Sequence, residues 1–359
     1  MRFIIIAALF LLSTTTAFAA ESYVVTELAE VIAITEEREG VVPGTDVSAT
    51  YQTLRAKILE GVNEGSIVTV ENDYLTLKVG DKFYAEHRVD PTVSLDRYTV
   101  VEPYRLPGIA TLLVLFVLCA WLVGGKQGVR GLVALAVSFA FISYLLLPGI
   151  LAGINALFVA FGVASLIIIL GSYITHGFNR VTTAAVIGMV ATIGITALLA
   201  ALAIEITHLS GFTSEEAVYL NLDTEGAIDF KGLLLGAMLI AILGVLYDAA
   251  IGQAVAVDEL TQSAPRSSRT EVFKRAMRIG KEHIGALVNT LAIAYVGVAL
   301  PLLLLFSSLN SDASLLTTLN REVFAEEIVR MAVGAIGIML TVPVTTGVAV
   351  WTLIRPEQV

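Results

Sequence analysis

The chain has 359 residues, 56% of them apolar and only 15% charged, and 22 Lys and Arg against 32 Asp and Glu give a formal charge of -10. Globular chains carry about 25% charged residues, so this composition, with a mean hydropathy of +0.82, argues against an ordinary water-soluble domain and for a membrane protein. The acid excess argues against a nucleic-acid surface, and 1 cysteine with 4 histidines leaves no internal disulfide and too few ligands for a Cys/His zinc site.

In chain order, Arg2 precedes an apolar stretch from Phe3 to Leu12, and Ala17-Phe18-Ala19 supplies a small-x-small site. This is the layout of a signal peptide over residues 1–20, because about ten apolar residues fall short of the roughly twenty a span needs. An uncleaved anchor is the alternative reading. From Glu21 to Arg105 the chemistry changes to 16 Asp and Glu against 8 Lys and Arg with no long apolar run. Val24–Ile34 and Tyr51–Leu59 read as strands, Ser66–Val70 and Tyr74–Val79 as a hairpin through Asn72-Asp73, and Lys82–Ala85 as a further strand. Residues 21–105 are therefore expected to form a small all-β extracytoplasmic barrel or sandwich, OB-like among the options.

Beyond Arg105 seven apolar segments are long enough to span a bilayer: Leu106–Val123, Val129–Leu147, Ile154–Tyr173, Val181–Ile204, Gly232–Val257, Ile284–Phe306 and Val329–Ile354. All are expected to be helical, since in hydrocarbon each segment must satisfy its own peptide groups. Every second connection is basic: Lys126 and Arg130, then Arg180, then Arg266, Arg269, Lys274, Arg275, Arg278 and Lys281, with Arg355 after the last segment. The positive-inside rule places these loops and the C-terminus in the cytosol and the β domain outside, which agrees with the signal peptide.

No H-E-x-x-H, G-x-S-x-G, Walker or dinucleotide-binding motif is present, so an enzyme is not expected and neither a cofactor nor a metal is implied. The acidic outer loop with Asp223, Glu225 and Asp229 lacks the EF-hand pattern and reads as a solvated loop. His176, His208 and His283 fall at segment boundaries and read as interfacial groups. Asp248 stands out as the lone formal charge inside Gly232–Val257, where an unpaired carboxylate costs at least a few kcal/mol. Gly244 and Gly252 share its helical face, and Gly285, Asn289 and Gly297 form a row on the next segment, so these glycines are expected to let helices pack closely.

By rise per residue, Asp248 lies roughly 13 Å and Asn289 roughly 9 Å from the cytosolic ends of their segments. Gly337, Thr341 and Thr345 share a face beside Pro343, and Gly188, Thr192 and Thr196 form a similar row. Asp248, Asn289, Thr341 and Thr345 are thus the candidate ion, proton or substrate site. The alternative is that Asp248 snorkels at the interface while the Asn and Thr side chains join helices. The stretch Pro265–Lys281, with Phe273, Met277 and Ile279 among its cations, reads either as a surface helix touching anionic lipid or as a topology determinant alone.

The run Leu243-Gly244-Val245-Leu246-Tyr247-Asp248-Ala249-Ala250-Ile251-Gly252-Gln253-Ala254, then Arg275–Ile284, Val288–Gly297 and Leu300–Phe306, resembles the YibE/F-like family of bacterial multi-span membrane proteins. The chain departs from that family's pattern in having Tyr247-Asp248 where paired acids are usual and Glu282-His283 where an Asp precedes the His. The resemblance implies a polytopic membrane protein and names neither substrate nor catalytic residue.

The expected architecture is an α-helical polytopic membrane protein with about seven transmembrane helices over residues 106–354, preceded by the β domain and followed by a cytosolic tail at 355–359. The expected function is a small-solute or ion transporter or permease in the bacterial cytoplasmic membrane. The alternative is an envelope scaffold or assembly factor whose residues 21–105 bind an envelope protein. The lipid bilayer and a small solute or ion are the expected partners, and nucleic acid is not.

Overall fold

A computed structural model describes residues 23–42, 44, 46–73, 75–308 and 314–354. The expected signal peptide and cytosolic tail lie outside the described residues. Packing divides the chain into two compact units, with the boundary between Phe116 and Val117.

The first unit holds five strands, β1 (Tyr23–Val41), β2 (Ser48–Glu60), β3 (Ile67–Asn72), β4 (Lys82–Asp90) and β5 (Leu95–Pro103). They close into a barrel in the order β1-β2-β3-β5-β4. All pairings are antiparallel except β3 with β5, where Val70 faces Tyr98 and Glu71 faces Thr99 in parallel. This is the five-stranded Greek-key arrangement of an OB-type barrel. Closure depends on β1, whose register shifts near Ala29, Ala33 and Glu36 bend it so that its first half pairs β4 and the rest pairs β2. Alternation fills the interior: Leu54, Ala56 and Ile58 of β2 point inward with Phe83 and Ala85 of β4 and Val100 of β5, while Arg55 is exposed.

The expected hairpin partner at Tyr74–Val79 is not a strand in its described residues 75–79. A buried amide takes the place of the ladder there. Gln52 Nε2 donates to the Leu77 carbonyl at 3.1 Å, and the Leu77 N–H donates to Gln52 Oε1 at 2.9 Å, so one side chain pairs both peptide groups as a neighbouring strand would. Asn72 Nδ2 also donates to Gln52 Oε1, at 2.9 Å. β3 is then free to pair with β5, a strand absent from the sequence expectation.

In the rest of the chain the helices are α1 (Leu106–Phe141), continued through a π turn (Ile142–Leu146) into α2 (Leu147–Leu151), then α3 (Ala156–His176), α4 (Arg180–Thr207), α5 (Glu215–Asp223), α6 (Phe230–Ala241), α7 (Leu243–Ser263), α8 (Arg269–Val298), α9 (Leu300–Ser308), α10 (Leu315–Leu319) and α11 (Glu322–Leu353). Among the described residues, four helices are long and apolar enough to cross a membrane: Leu106–Leu151, α3, α4 and α11. The pair α6 and α7, bent by 41° at Ile242, makes a fifth if counted as one span.

The seven apolar segments of the sequence are therefore not seven unbroken helices. The first two are merged, with Gly125 at φ 54, ψ -137 between them, a backbone region that glycine alone enters without strain. The chain turns sharply there: a Cβ on Gly128 would collide with the Ala120 carbonyl, which in a straight helix lies about 12 Å away. Gln127 Nε2 then donates to the Thr175 carbonyl at 3.1 Å, which sets residue 127 level with the end of α3. At the other end of α3, Gly149 packs against Val159, so residues 127–149 run antiparallel to α3. The sixth segment is divided between α8 and α9 at Ala299; Pro301 lacks the N–H a continuous helix would need and sits in the first turn of α9, where none is required.

α11 is the centre of the bundle, packed by α4, α7 and α8. Its apolar core joins Ile168 of α3, Met189 and Ile193 of α4, Leu246 and Ala250 of α7 and Ala349 of α11. Gly188 of α4 lies against Thr345, and Gly337 of α11 lies against Thr196: an added Cβ would meet Thr345 Oγ1 at 2.5 Å or Thr196 Oγ1 at 2.6 Å. Both helices read Gly-x-x-x-Thr-x-x-x-Thr and run in opposite directions, so the glycine of each receives the last threonine of the other.

Candidate functional site

Asp248 lies on α7, just past the bend at Ile242. Among the described residues its carboxyl has no hydrogen bond and no ion pair, and it lines a cavity of about 190 Å³. Ala249, Gly252 and Gln253 of α7, Ile279, His283 and Leu287 of α8, and Val342 of α11 complete the walls. A liquid water occupies about 30 Å³, so the space admits a few waters or one small solute. Asp248 and Gly252 of α7 and Ile279 and His283 of α8 are all exposed, so the cavity lies at the surface of the bundle.

The polar groups around it are held from behind. Gln253 is 3% exposed, and its Oε1 accepts from Thr346 Oγ1 at 2.9 Å, which ties α7 to α11. Gly280 admits α8 to this corner, because a Cβ there would strike both the Gln253 amide and Val342. His283 Nδ1 lies 3.2 Å from the Ile279 carbonyl. A carbonyl only accepts, so the neutral imidazole carries its proton on Nδ1 and keeps the Nε2 lone pair for another partner. The site thus offers a carboxyl group and the edge of a carboxamide on α7 and an imidazole on α8, a set suited to a proton, a cation or a small polar solute.

Not all of the expected site residues meet there. Asn289 is exposed on α8 and does not line the cavity. It is six residues beyond His283, which rotates it about 240° around the helix. Thr341 and Thr345 are fully buried in the seam between α4 and α11; Thr341 Oγ1 donates to the Gly337 carbonyl at 3.0 Å, and Thr345 Oγ1 makes no hydrogen bond. Only Val342, between them, reaches the cavity wall. The expected packing glycines Gly244, Gly252, Gly285 and Gly297 have nothing within 4 Å of an added Cβ, whereas Gly188, Gly280, Gly334 and Gly337 are among the close approaches in the bundle. His283, read as interfacial from its boundary position, is a wall residue. The i, i+4 row Ile279-His283-Leu287, facing Gln253, is the pattern that carries it.

A second polar cluster was also hidden in the acidic stretch before the last apolar segment. Glu322 accepts from the Ser210 N–H, from Ser210 Oγ at 2.7 Å and from the Gly211 N–H at 3.2 Å. Glu326, 7% exposed, accepts from Thr213 Oγ1 at 2.7 Å and pairs with Arg330, which also meets Glu327 at 3.2 Å. These bonds tie the chain after α4 to the first turns of α11, and the ion pairs spare Arg330 the cost of an unpaired charge at the mouth of an apolar helix.

Residues 112–355 match the family model described as YibE/F-like protein. The chain belongs to the YibE/F-like family. The matched region includes every residue that lines the Asp248 cavity and begins after the barrel. No curated protein and no solved structure matches the chain.

Proposed function

We propose that this YibE/F-like protein is a permease that moves a small solute or ion across the bacterial cytoplasmic membrane through the Asp248 cavity. A signal peptide at residues 1–20 delivers the barrel, residues 21–105, to the outside. The bundle, residues 106–354, crosses the membrane seven times, with the basic loops and the tail at 355–359 in the cytosol. Two observations support the extra crossings: residues 127–149 are about 33 Å long and antiparallel to α3, and Leu106–Val123 before the Gly125 turn is about 27 Å long, each near one hydrocarbon thickness.

The observation that carries the reading is the unpaired Asp248 carboxyl lining a cavity between three helices, beside a bend in its own span. A charge in that position is costly unless water, a proton or a ligand meets it, and broken helices with sites at the break are a recurring construction of transporters. Asp248 is the coupling or binding carboxylate, His283 and Gln253 are its neighbours on the cavity wall, and Asn289 is not required.

The test is proton flux in liposomes holding the purified full chain, read with a lumenal pH dye under an imposed pH gradient. Asp248→Asn is expected to reduce flux to the rate of protein-free vesicles with unchanged melting temperature. Equal flux from Asp248→Asn and the parent chain would remove Asp248 from the mechanism.

A second reading, an envelope scaffold or assembly factor, is favoured by a cleft of about 430 Å³ on the barrel lined by Arg38, Tyr51, Glu71, Asn72 and Arg97. Arg38 lies over the Tyr51 ring, 5.1 Å from its centre, a cation–π pair of residue types enriched where proteins meet partners. On that reading Tyr51→Ala abolishes capture of an envelope protein while Asp248→Asn leaves it unchanged.

A further inference from the structure

The first half of α8 carries three parallel stripes of different chemistry. Val272, Ala276 and Gly280 are buried against the bundle, Phe273 and Met277 beside them are half-buried, and Lys274, Arg278 and Lys281 are next around the helix. Positions 274, 278 and 281 are one helical turn apart in sequence, so the three cations span about 10 Å along one face. With Phe273 and Met277 they line an open cavity of about 340 Å³ that holds no acidic side chain. None of the three cations has an ion pair among the described residues; Glu282, one turn beyond Arg278, forms none with it. The other cations of this stretch are engaged elsewhere: Arg275 pairs with Glu271, and Arg269 Nη2 donates to the Ile354 carbonyl at 2.8 Å.

We propose that this groove binds an anionic phospholipid, its phosphate between Lys274, Arg278 and Lys281 and its glycerol and upper acyl chain against Phe273 and Met277. Unpaired cations along a groove with no acid are complementary to a phosphodiester, and the apolar stripe directly alongside matches the boundary between headgroup and acyl chain. A free phosphate uses the cations and leaves Phe273 and Met277 in contact with water. The site is separate from the Asp248 cavity, and its standing does not depend on transport.

The experiment is native mass spectrometry of the full chain released from micelles holding equal phosphatidylglycerol and phosphatidylcholine. The parent chain is expected to retain phosphatidylglycerol selectively. Each cation near an anionic surface contributes about a fivefold gain, so Lys274→Gln, Arg278→Gln and Lys281→Gln combined are expected to lower retention on the order of a hundredfold. The single variants are expected to lose about fivefold each, which keeps the test decisive if the triple variant fails to fold, and Arg275→Gln is expected to match the parent. Equal retention of the two lipids, undiminished phosphatidylglycerol in the cation variants, or its full displacement by millimolar inorganic phosphate would each overturn the proposal.

Discussion

Gln52 shows how one side chain redirects a strand order. Its carboxamide bonds both peptide groups of Leu77, accepts from Asn72 and donates to Glu37 Oε2 at 2.9 Å, all inside a barrel that buries it to 3% exposure. Gln52→Leu keeps the volume but strands the Leu77 N–H and carbonyl, and is expected to destabilise the barrel by about 2–4 kcal/mol. Pulse proteolysis of the detergent-solubilised chain, scoring cleavage between residues 73 and 81, measures this. Gln52→Glu can still accept from Leu77 but turns the bond to Glu37 into a contact between two carboxyl groups, and is expected to destabilise at least as much. Nothing in the alternation of residues 74–79 signals the substitution, because a strand paired by a side chain has the same composition as one paired by a neighbour. Asp248, by contrast, was legible: a lone acid in an apolar run announces itself through its solvation cost, whatever the fold. Its companions were not, since Gln253 is uncharged and His283 sits where imidazoles are common, and choosing between His283 and Asn289 required the rotation of α8, which the sequence left open.

At the scale of elements, the apolar stretches were readable one by one and their pairings were not. In a bilayer every span presents apolar side chains on all sides, so periodicity loses the inward-facing signal it has in water-soluble helices. The Gly-x-x-x-Thr-x-x-x-Thr rows of α4 and α11 were visible in the sequence; that they face each other head to tail is a fact of the fold. Their register has one good solution, because sliding either helix by a turn sets a threonine where a glycine is needed. Gly337→Val is therefore expected to cost about 1–3 kcal/mol through the clash with Thr196, seen as a lower melting temperature in detergent. Gly347→Ala, on the same helix with open space around it, is expected to be neutral or slightly stabilising from helix propensity alone.

For the whole molecule, the number of crossings turns on the Gly125 break and on the path of α8 and α9. If the bundle crosses seven times, residue 127 is at the cytosolic surface beside the end of α3; if Leu106–Leu151 is one tilted span, that residue is within the membrane. With Cys119→Ser removing the lone native thiol, Gln127→Cys is expected to label with a membrane-impermeant maleimide in inverted vesicles and to resist it in whole cells. A thiol shielded on both sides would reduce the count. The barrel and the apolar bundle were both legible from composition, because a switch from acidic alternation to long apolar runs at Arg105 needs no geometry to interpret.

No residue of α1 is buried, while α11 buries more than half of its most apolar window. Two helices of similar length and greasiness therefore live under opposite evolutionary rules. Along α1, Leu, Val, Ile and Phe can trade places freely so long as the oil around them is satisfied. Along the buried face of α11, at Gly337 above all, a single added methyl group is read by a neighbour, and variation among descendants of this chain should pile up on the first and avoid that face of the second.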